Sequence, residues 1–527
     1  MSEDFVQAMA AGYSFEGPTL LLGAPLREGR VAAPSAVRVP LAMMNRHGLI
    51  AGATGTGKTR TLQLLAGQLS AAGVPVFLAD IKGDLSGLTV PGEAGPKVLE
   101  RAKAIGVPFA PEGCPVEFLS LTGEGGVPLR ATVSSFGPLL LARALELNET
   151  QKSVLALVFK YCDDKGYLLL DLADLKAVLR YLGGEGKGEL REYGGMSPAT
   201  AGVLLRKMVE LEQQGAERFF GEPEFDIDDL LALDPKGRGV VSVLELSDMQ
   251  DRPDLFSTFM MWLLASLYRE LPEVGDVEKP KLVFFFDEAH LLFEGADREF
   301  LEQVEQVVRL VRSKGVGVFF VTHTPKDLPA GILAQLGNRV QHALRAFTPD
   351  DEEKLRATAD TFPRSPFYDI PRTLTSLGIG EALVTVLTPR GTPSPVVATL
   401  MAPPASQMKG IPPAEVERRV KASPLHGEYA QAVDRESARE MLQRLVEEGG
   451  AGGGGKAEVG RESPGGPPGR APARGRTARQ PTAAETVGKA LNSPMARTVG
   501  RELLRGLFGV LGVRTTTRRR RTGPRLW

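Results

Sequence analysis

The sequence has few of the residues that mark secreted, membrane-spanning or zinc-binding proteins. Only two of its 527 residues are cysteine, Cys114 and Cys162, and neither belongs to a paired spacing or to a metal-binding pattern with the five histidines. Every apolar run is shorter than the roughly 18 residues of a transmembrane helix. The N-terminus MSEDFVQAMA is acidic, whereas a signal peptide begins with basic residues. The composition therefore predicts a reduced, cytoplasmic protein without a membrane span.

The chain also lacks a large excess of positive or negative charge, since it contains 63 Lys and Arg and 64 Asp and Glu. This balance hides an asymmetry along the chain. Residues 449–527 hold 16 basic and 4 acidic residues, whereas residues 1–448 hold 47 basic and 60 acidic ones. An acidic body with a basic tail is typical of proteins that contact nucleic acid, an anionic membrane surface or an acidic partner.

The most informative motif is GATGTGKT at residues 52–59. It lies between a short apolar run and a segment with apolar residues at helical spacing, so the local order is strand, loop and helix. It fits G-x-x-x-x-G-K-[ST], in which glycines let backbone N–H groups surround a phosphate at a helix N-terminus. The residues expected to bind a nucleoside triphosphate are Gly52, Ala53, Thr54, Gly55, Thr56, Gly57, Lys58, Thr59 and Arg60. Lys58 is expected to contact the β- and γ-oxygens, and Thr59 to bind Mg²⁺.

A second motif, KLVFFFDEAH at residues 281–290, supplies two acids at the end of an apolar strand. Asp287 can hold Mg²⁺ through water, and Glu288 is a candidate base for the attacking water. We therefore expect hydrolysis rather than binding alone. The alternative is that the acids only cap a helix.

Polar residues also follow two other predicted strands. Thr322 and His323 in VTHTP are placed to sense a γ-phosphate, although a histidine here can also simply close the strand through a backbone hydrogen bond. Asp80 and Lys82 in LADIKGDLSG lie at the edge where such sheets bind ligands. Lys82 can equally be a solvated loop charge.

Three arginines are candidates for a finger that reaches the nucleotide of a neighbouring subunit. Arg339 and Arg345 in GNRVQHALRAFTP are the main ones, and Arg312 in VRSKG is a weaker third. A surface or structural ion-pair role is an equal alternative for each of them.

The apolar runs from residue 47 onward are short and rich in Val, Leu and Phe, which is typical of parallel strands buried on both faces. They are HGLIAG at 47–52, VPVFLAD at 74–80, GVVSVLEL at 239–246, KLVFFFDEAH at 281–290 and GVGVFFVTH at 315–323. Helical stretches between several of them suit crossover connections. The pattern predicts a doubly wound, mostly parallel α/β sheet.

Helical spacing between residues 135 and 220 predicts an insert beside the sheet. Asn148, Asp171 and Ser197 are candidate N-caps, and Pro198 suits the first helical position. The expected divisions are an entry segment at 1–46, core halves at 47–134 and 236–402, the helical insert at 135–235, a C-terminal helical segment at 403–448, a disordered Gly/Pro/Arg linker at 449–482 and an amphipathic, Arg-rich tail at 483–527.

Five motifs together resemble the HerA and FtsK branch of motor ATPases. They are NRHGLIAGATGTGKT, LADIKGDLSGL, DEAH, VRSKGVGVFFVTHTPKDLP and LGNRVQHALRAFTP, spread over about residues 10–400. The chain looks most like the HerA-like bacterial proteins typified by YjgR. The resemblance implies a P-loop NTPase of the ASCE/RecA-like type, which forms a homo-oligomeric, usually hexameric ring, hydrolyses ATP with Mg²⁺ and moves along double-stranded DNA. His323 stands where relatives usually carry Gln, and the N-terminal β-barrel of fully equipped relatives does not fit before Gly52.

Two other functions are compatible with parts of the sequence. LLRGLFGVLG followed by arginines has the composition of an interfacial anchor, so a nucleotide-dependent switch or scaffold with anionic membrane contact is the alternative to a translocase. DLSG at 84–87 matches a GTPase switch motif. However, TPKD at 324–327 has its lysine one position late for the guanine-reading [NT]-K-x-D, which argues against GTP.

Overall fold

The computed structural model describes residues 2–32, 35–247, 253–296 and 298–451, which build one sheet flanked by helices. Its strands are β1 (Thr19–Arg27), β2 (Arg30–Val31), β3 (Val37–Pro40), β4 (Gly48–Ala51), β5 (Val76–Asp80), β6 (Val116–Ser120), β7 (Val127–Pro128), β8 (Val241–Glu245), β9 (Leu282–Phe286), β10 (Val316–Thr322), β11 (Asn338–His342), β12 (Glu381–Thr385) and β13 (Val397–Met401).

The helices within these ranges are α1 (Glu3–Gly12), α2 (Lys58–Ala71), α3 (Pro96–Ile105), α4 (Val133–Ala144), α5 (Glu149–Lys165), α6 (Leu172–Gly183), α7 (Pro198–Gln213), α8 (Pro253–Glu270), α9 (Arg298–Val311), α10 (Ala330–Leu333), α11 (Pro349–Ala359), α12 (Ile370–Ser376), α13 (Pro413–Ala422), α14 (Pro424–Tyr429) and α15 (Ala438–Ala451). In the described part of the chain, every helix is too short or too polar to cross a membrane.

The strand order is β2-β1-β13-β12-β11-β4-β10-β9-β5-β8-β6-β7, and β3 pairs with β1. The stretch from β11 to β7 is parallel throughout. Strands β5, β9 and β10 are completely buried, as expected for parallel strands covered by helices on both faces. The predicted doubly wound, mostly parallel α/β fold is confirmed. Because β10 separates β4 from β9, the carboxyl ends of the phosphate-loop strand and the acidic strand flank that of β10.

The N-terminal residues, expected as an entry segment at 1–46, contribute strands to the sheet. Strand β1 pairs antiparallel with β13, with Ala24 opposite Leu400 and Pro25 opposite Thr399. It also holds α2, because the amide of Gln68 exchanges two hydrogen bonds with the backbone of Leu21, at 2.7 and 2.8 Å. The apolar spacing of TLLLGAPL indicates a strand but cannot show a partner more than 350 residues away.

The helical insert forms as the N-cap pattern predicts. Asn148 and Asp171 begin α5 and α6 with capping boxes, and the Ser197 hydroxyl caps α7, where Pro198 takes the first helical position. These caps satisfy backbone N–H groups that have no partner within the helix. The insert therefore follows local rules that the sequence displays.

The C-terminal helical segment is present as α13, α14 and α15, and the last of these continues three residues into the predicted linker. The remainder of the predicted linker and the whole tail at 483–527 lie outside the described residues. Before α13, the chain passes beside α2, where Arg60 donates to the carbonyl of Met408.

Candidate active site

The loop between β4 and α2 has the backbone of a phosphate cradle. Gly52, Gly55 and Gly57 have φ values of 155°, 76° and 122°, which residues with a side chain rarely adopt. Space is also limiting at Gly52, where an added Cβ would lie 2.5 Å from the Cβ of His342. Helix α2 starts at Lys58 and directs its first N–H groups towards the loop. The predicted strand, loop and helix are therefore all present.

Lys58 spans this loop. Its ammonium group donates to the carbonyl of Gly52 at 2.7 Å and lies 3.4 Å from both the carbonyl of Ala53 and Nδ1 of His323. The residue is only 6% exposed, and burial lowers the pKa of its amine. A triphosphate in the cradle would offer this ammonium stronger, charged acceptors than two carbonyls.

Asp287 ends β9 and is 1% exposed. Its Oδ1 accepts from the backbone N–H of Glu288 at 3.0 Å, and its Oδ2 is buried without a hydrogen-bond partner among the described residues. Burial raises the pKa of this carboxyl to about 6, although the charge of Lys82 opposes the rise. A buried carboxylate oxygen without a partner suits a hard cation, and Thr59, in the first turn of α2, supplies a hydroxyl of the type that Mg²⁺ accepts. The residues present therefore fit a magnesium ion.

Glu288 lies at the centre of a polar cluster. Its backbone is left-handed, with φ 48° and ψ 46°, a conformation that a residue other than glycine adopts only under local constraint. Lys82 donates to Oε1, while His323 Nε2 lies 3.2 Å and His290 Nδ1 3.4 Å from Oε2. Burial alone would raise the pKa of this carboxyl, but the contacts with His323 and Lys82 outweigh it and lower the pKa to about 2. The group is therefore a carboxylate at neutral pH.

His323 reaches both halves of the site. Its Nδ1 faces Lys58 and its Nε2 faces Glu288, so the ring links the phosphate loop to the acidic strand. Thr322 is turned away, since its hydroxyl donates to Asp327 at 2.7 Å. Of the two residues predicted to sense a γ-phosphate, His323 is the one that faces the cluster through its side chain.

The loop after β5 is shaped by Asp80, which is completely buried. Its carboxylate accepts from the backbone N–H groups of Lys82, Gly83 and Leu85, at 3.1, 2.8 and 2.8 Å. Burial raises the pKa of this carboxyl to about 6 against the effect of these hydrogen bonds. Asp80 thus positions the loop, and Lys82 is part of the cluster through Glu288 rather than a solvated loop charge.

The candidate arginine fingers lie apart from this cluster. Arg339 is half-buried in β11, and its guanidinium donates to three backbone carbonyls of its own chain at 2.9 to 3.4 Å. Arg345 is exposed and donates to the carbonyl of Thr375 at 3.0 Å, and Arg312 is exposed as well. A role for any of them across a subunit interface stays a prediction.

His342 supports the cradle from behind, although no motif in the sequence pointed to this residue. Its Nε2 lies 2.9 Å from the hydroxyl of Thr61 and its Nδ1 lies 2.9 Å from the carbonyl of Glu381. Burial lowers the pKa of the imidazole to about 4, so the ring is neutral at physiological pH. The nearby N–H of Gly380 donates to the carbonyl of Thr56 at 2.9 Å, which adds a second support. The sequence shows only a histidine within LGNRVQHALRAFTP, where polar residues interrupt the apolar pattern of the strand.

Comparison with known sequences assigns the chain to a family. The family model described as the helicase HerA-like C-terminal region matches residues 27–518. The chain belongs to this HerA-like family. The DNA double-strand break repair helicase HerA of Sulfolobus acidocaldarius is 23% identical over 368 residues, which are 66% of this chain and 64% of that protein. A probable helicase of Methanocaldococcus jannaschii is 25% identical over 154 residues, 27% of this chain and 28% of that protein. The HerA-like chain thus spans less than two thirds of each relative.

Two solved structures have similar shapes. The plasmid coupling protein TrwB in complex with ADP and Mg²⁺ has 15% sequence identity and a TM-score of 0.48, and covers 76% of this chain and 98% of its own. VirB4 of Thermoanaerobacter pseudethanolicus has 16% identity and a TM-score of 0.45, and covers 73% and 97%. Membership of the HerA-like family rests on the sequence match and not on these two structures.

Proposed function

We propose that this HerA-like protein binds ATP with Mg²⁺, hydrolyses it and uses the energy to move along double-stranded DNA in the cytoplasm. One observation carries the proposal. His323 lies 3.4 Å from the ammonium of Lys58 and 3.2 Å from the carboxylate of Glu288, so the phosphate loop and the acidic strand meet in one site. The phosphate loop and the acidic strand are more than 200 residues apart in the sequence, so it is the fold that brings them together.

The roles of the residues follow from their positions. Loop amides and Lys58 bind the phosphates and neutralise charge that develops on them. Thr59 and Asp287 would hold Mg²⁺, which would supply positive charge to neutralise the phosphates. Glu288 orients the attacking water and accepts its proton, since its carboxylate is charged at neutral pH. His323 contacts both sides and is placed to respond when the γ-phosphate leaves.

We propose further that the protein acts as a homo-oligomer, as a hexameric ring. Arg345 is the better of the two main finger candidates, because its side chain is exposed, whereas the guanidinium of Arg339 is taken up by carbonyls of its own chain. DNA would be bound through phosphate contacts, with a contribution from the basic tail at 483–527, so binding should weaken steeply with salt. The alternative, a switch at a membrane surface, depends wholly on that tail, which lies outside the described residues.

The test is ATP turnover by the purified full chain, with and without duplex DNA at low salt. We expect Mg²⁺-dependent hydrolysis that duplex DNA stimulates, preference for ATP over GTP in competition binding, and a larger particle in size measurements with non-hydrolysable ATP. Absence of turnover in every ionic condition would overturn the ATPase proposal. Turnover that is indifferent to every nucleic acid would overturn the DNA track while leaving the ATPase, and liposome flotation would then examine the tail.

A further inference from the structure

His290 has no part in the proposed ATPase mechanism, yet it lies beside Glu288 and His323, which do. Glu288, His290 and His323 each offer one ligand atom, and these atoms all lie within 4.8 Å of one another. We propose that they form a separate binding site for a transition-metal ion of the Zn²⁺ or Co²⁺ type. His290 belongs to the 3₁₀ turn Ala289–Leu292 after β9, and His323 follows β10, so two neighbouring strand ends build the site.

The spacing of the ligand atoms fits such an ion. Zinc binds imidazole nitrogen and carboxylate oxygen at about 2.0 to 2.1 Å, so two ligand atoms of a tetrahedral site are about 3.3 Å apart. In this structure, Oε2 of Glu288 lies 3.2 Å from Nε2 of His323 and 3.4 Å from Nδ1 of His290. Both distances are close to that separation, and the three ligand atoms all lie within 4.8 Å of one another, so one ion could bind all three residues after the side chains adjust.

The same atoms lack other partners. Glu288 Oε2 and His290 Nδ1 are buried, and their contact with each other at 3.4 Å lacks hydrogen-bond geometry. Glu288 is 6% exposed, so an ion bound to its Oε2 would be largely shielded from water. The side chains of His290 and His323 are 34% and 40% exposed, which gives an ion access from solvent.

Ligand chemistry separates this site from the magnesium position. Two imidazoles and one carboxylate favour zinc, cobalt or nickel, whereas Mg²⁺ prefers oxygen ligands such as those of Thr59 and Asp287. Lys82 orients a ligand of the new site without touching the ion, because it holds Oε1 of Glu288 and leaves Oε2 turned towards the histidines. The two ions therefore use different atoms.

Lys58 opposes metal binding when it faces His323. An ion on Nε2 of a neutral imidazole leaves the hydrogen on Nδ1, and that N–H would point at the ammonium 3.4 Å away. Removing Lys58, or drawing it towards phosphate, should therefore favour the metal. Lys58→Ala is expected to bind Co²⁺ at least as tightly as the parental protein.

Lys82 already donates to Oε1 of Glu288, so a metal ion on Oε2 would leave this carboxylate without a free oxygen to accept a proton. Zn²⁺ is therefore expected to inhibit ATP hydrolysis while Mg²⁺ supports it. This consequence rests on the proposed function, whereas binding of the metal does not. Metal binding is accordingly measured first, without any nucleotide.

The experiment titrates Co²⁺ into the nucleotide-free full chain and records its visible absorption, with Zn²⁺ binding followed by calorimetry. We expect one equivalent per chain, tetrahedral Co²⁺ bands, and at least tenfold weaker binding in His290→Ala and in His323→Gln. His426→Ala is the matched control, because His426 lies in α14 outside the cluster, and should bind as the parental protein does. Residues 452–527 contain neither His nor Cys, so the tail adds no competing imidazole or thiolate ligand.

Equal Co²⁺ affinity in the parental protein and in both histidine variants would overturn the site, as would no binding by a parental protein that is folded by circular dichroism. Weaker binding by Lys58→Ala would contradict the proposed geometry. Metal binding in a protein without ATP turnover would keep the site and sink the proposed function. ATP turnover without metal binding would support the proposed function and overturn the metal site. If both hold, Zn²⁺ inhibition that disappears in His290→Ala completes the support.

Discussion

Lys82 and Glu288 form an ion pair that joins the carboxyl ends of β5 and β9, which are neighbours in the sheet. The lysine is 41% exposed and the glutamate side chain 8% exposed, so the pair lies at the mouth of the site with its acid inside. The ammonium occupies one of the two carboxylate oxygens and lowers the pKa of the proposed base. The ion pair therefore limits both the movement and the basicity of the Glu288 carboxylate.

We expect Lys82→Met to raise basal ATP turnover several-fold. Without the ammonium, the carboxylate of Glu288 becomes more basic and is free to turn towards water, and proton transfer follows basicity. The measurement is steady-state hydrolysis without DNA. A tenfold fall in turnover at unchanged ATP affinity would show that Lys82 assists the reaction instead.

Lys58→Ala is expected to abolish tight nucleotide binding. The substitution removes the lysine side chain that spans the phosphate loop, and with it the charge expected to meet the β- and γ-phosphates. Binding of a fluorescent ATP analogue measures the effect. Lys236→Ala is the matched control, because Lys236 is exposed in the turn before β8, at the opposite edge of the sheet.

Glu288→Gln is expected to bind ATP within a few-fold of the parental affinity and to lose about 100-fold or more in turnover, the scale of a missing general base. The amide keeps an oxygen for Lys82, so the local contacts largely persist. Single-turnover hydrolysis measures the step. Glu294→Gln changes an exposed glutamate of the same turn and should behave as the parental protein. Parental turnover in Glu288→Gln would refute the base assignment.

Gly52→Ala should distort the cradle. The added Cβ would lie 2.5 Å from the Cβ of His342, and φ at this position is 155°. We expect at least tenfold weaker nucleotide binding and a loss of about 1 to 3 kcal/mol in the free energy of unfolding. Gly17→Ala is the control for strain alone, because Gly17 has a φ of 81° and no atom within 4 Å of an added Cβ. Equal effects of the two substitutions would exclude crowding as the cause.

Glu117 makes stability depend on pH. Burial raises the pKa of its carboxyl to about 7, although the hydroxyl of Ser423, 2.5 Å away, lowers it. In the unfolded chain this pKa is about 4.3, so the folded state binds the proton more tightly. Its contribution to stability is therefore complete below about pH 4 and is lost as the pH rises through 7.

Glu117→Gln should accordingly raise the free energy of unfolding by roughly 2 kcal/mol at pH 8 and by much less at pH 5. Urea unfolding at the two pH values measures the difference. Glu93→Gln, which changes an exposed glutamate in the loop before α3, is the control and should leave the free energy of unfolding close to the parental value at both pH values. An equal gain at both pH values would mean that packing, not ionisation, is responsible.

The parts of the site that obey local rules were predictable from the sequence. A glycine-rich turn between a strand and a helix must expose its N–H groups, and an apolar strand must deliver Asp287 and Glu288 to its end. The N-caps of the helical insert were predictable for the same reason. Each of these features depends on residues within about ten positions.

Contacts between distant segments were not predictable in this way. The support of Gly52 by His342 joins residues 290 positions apart, and the strand β11 that carries His342 was not recognised, because Arg and Gln interrupt its apolar pattern. Arg60 was expected at the nucleotide, yet its guanidinium donates to Gln63 and to the carbonyl of Met408. The residues adjacent to an arginine in the sequence do not reveal which distant carbonyl its guanidinium will contact.

The pairing of β1 with β13 affects how the protein can be shortened. If a truncated version started at residue 42, directly after β3, then β13 would become an open edge with unpaired N–H and C=O groups, ready to join another molecule. Gln68 of α2 would lose its two bonds to Leu21 at the same time. A protein truncated to begin at residue 42 should therefore aggregate instead of folding into a smaller active ATPase.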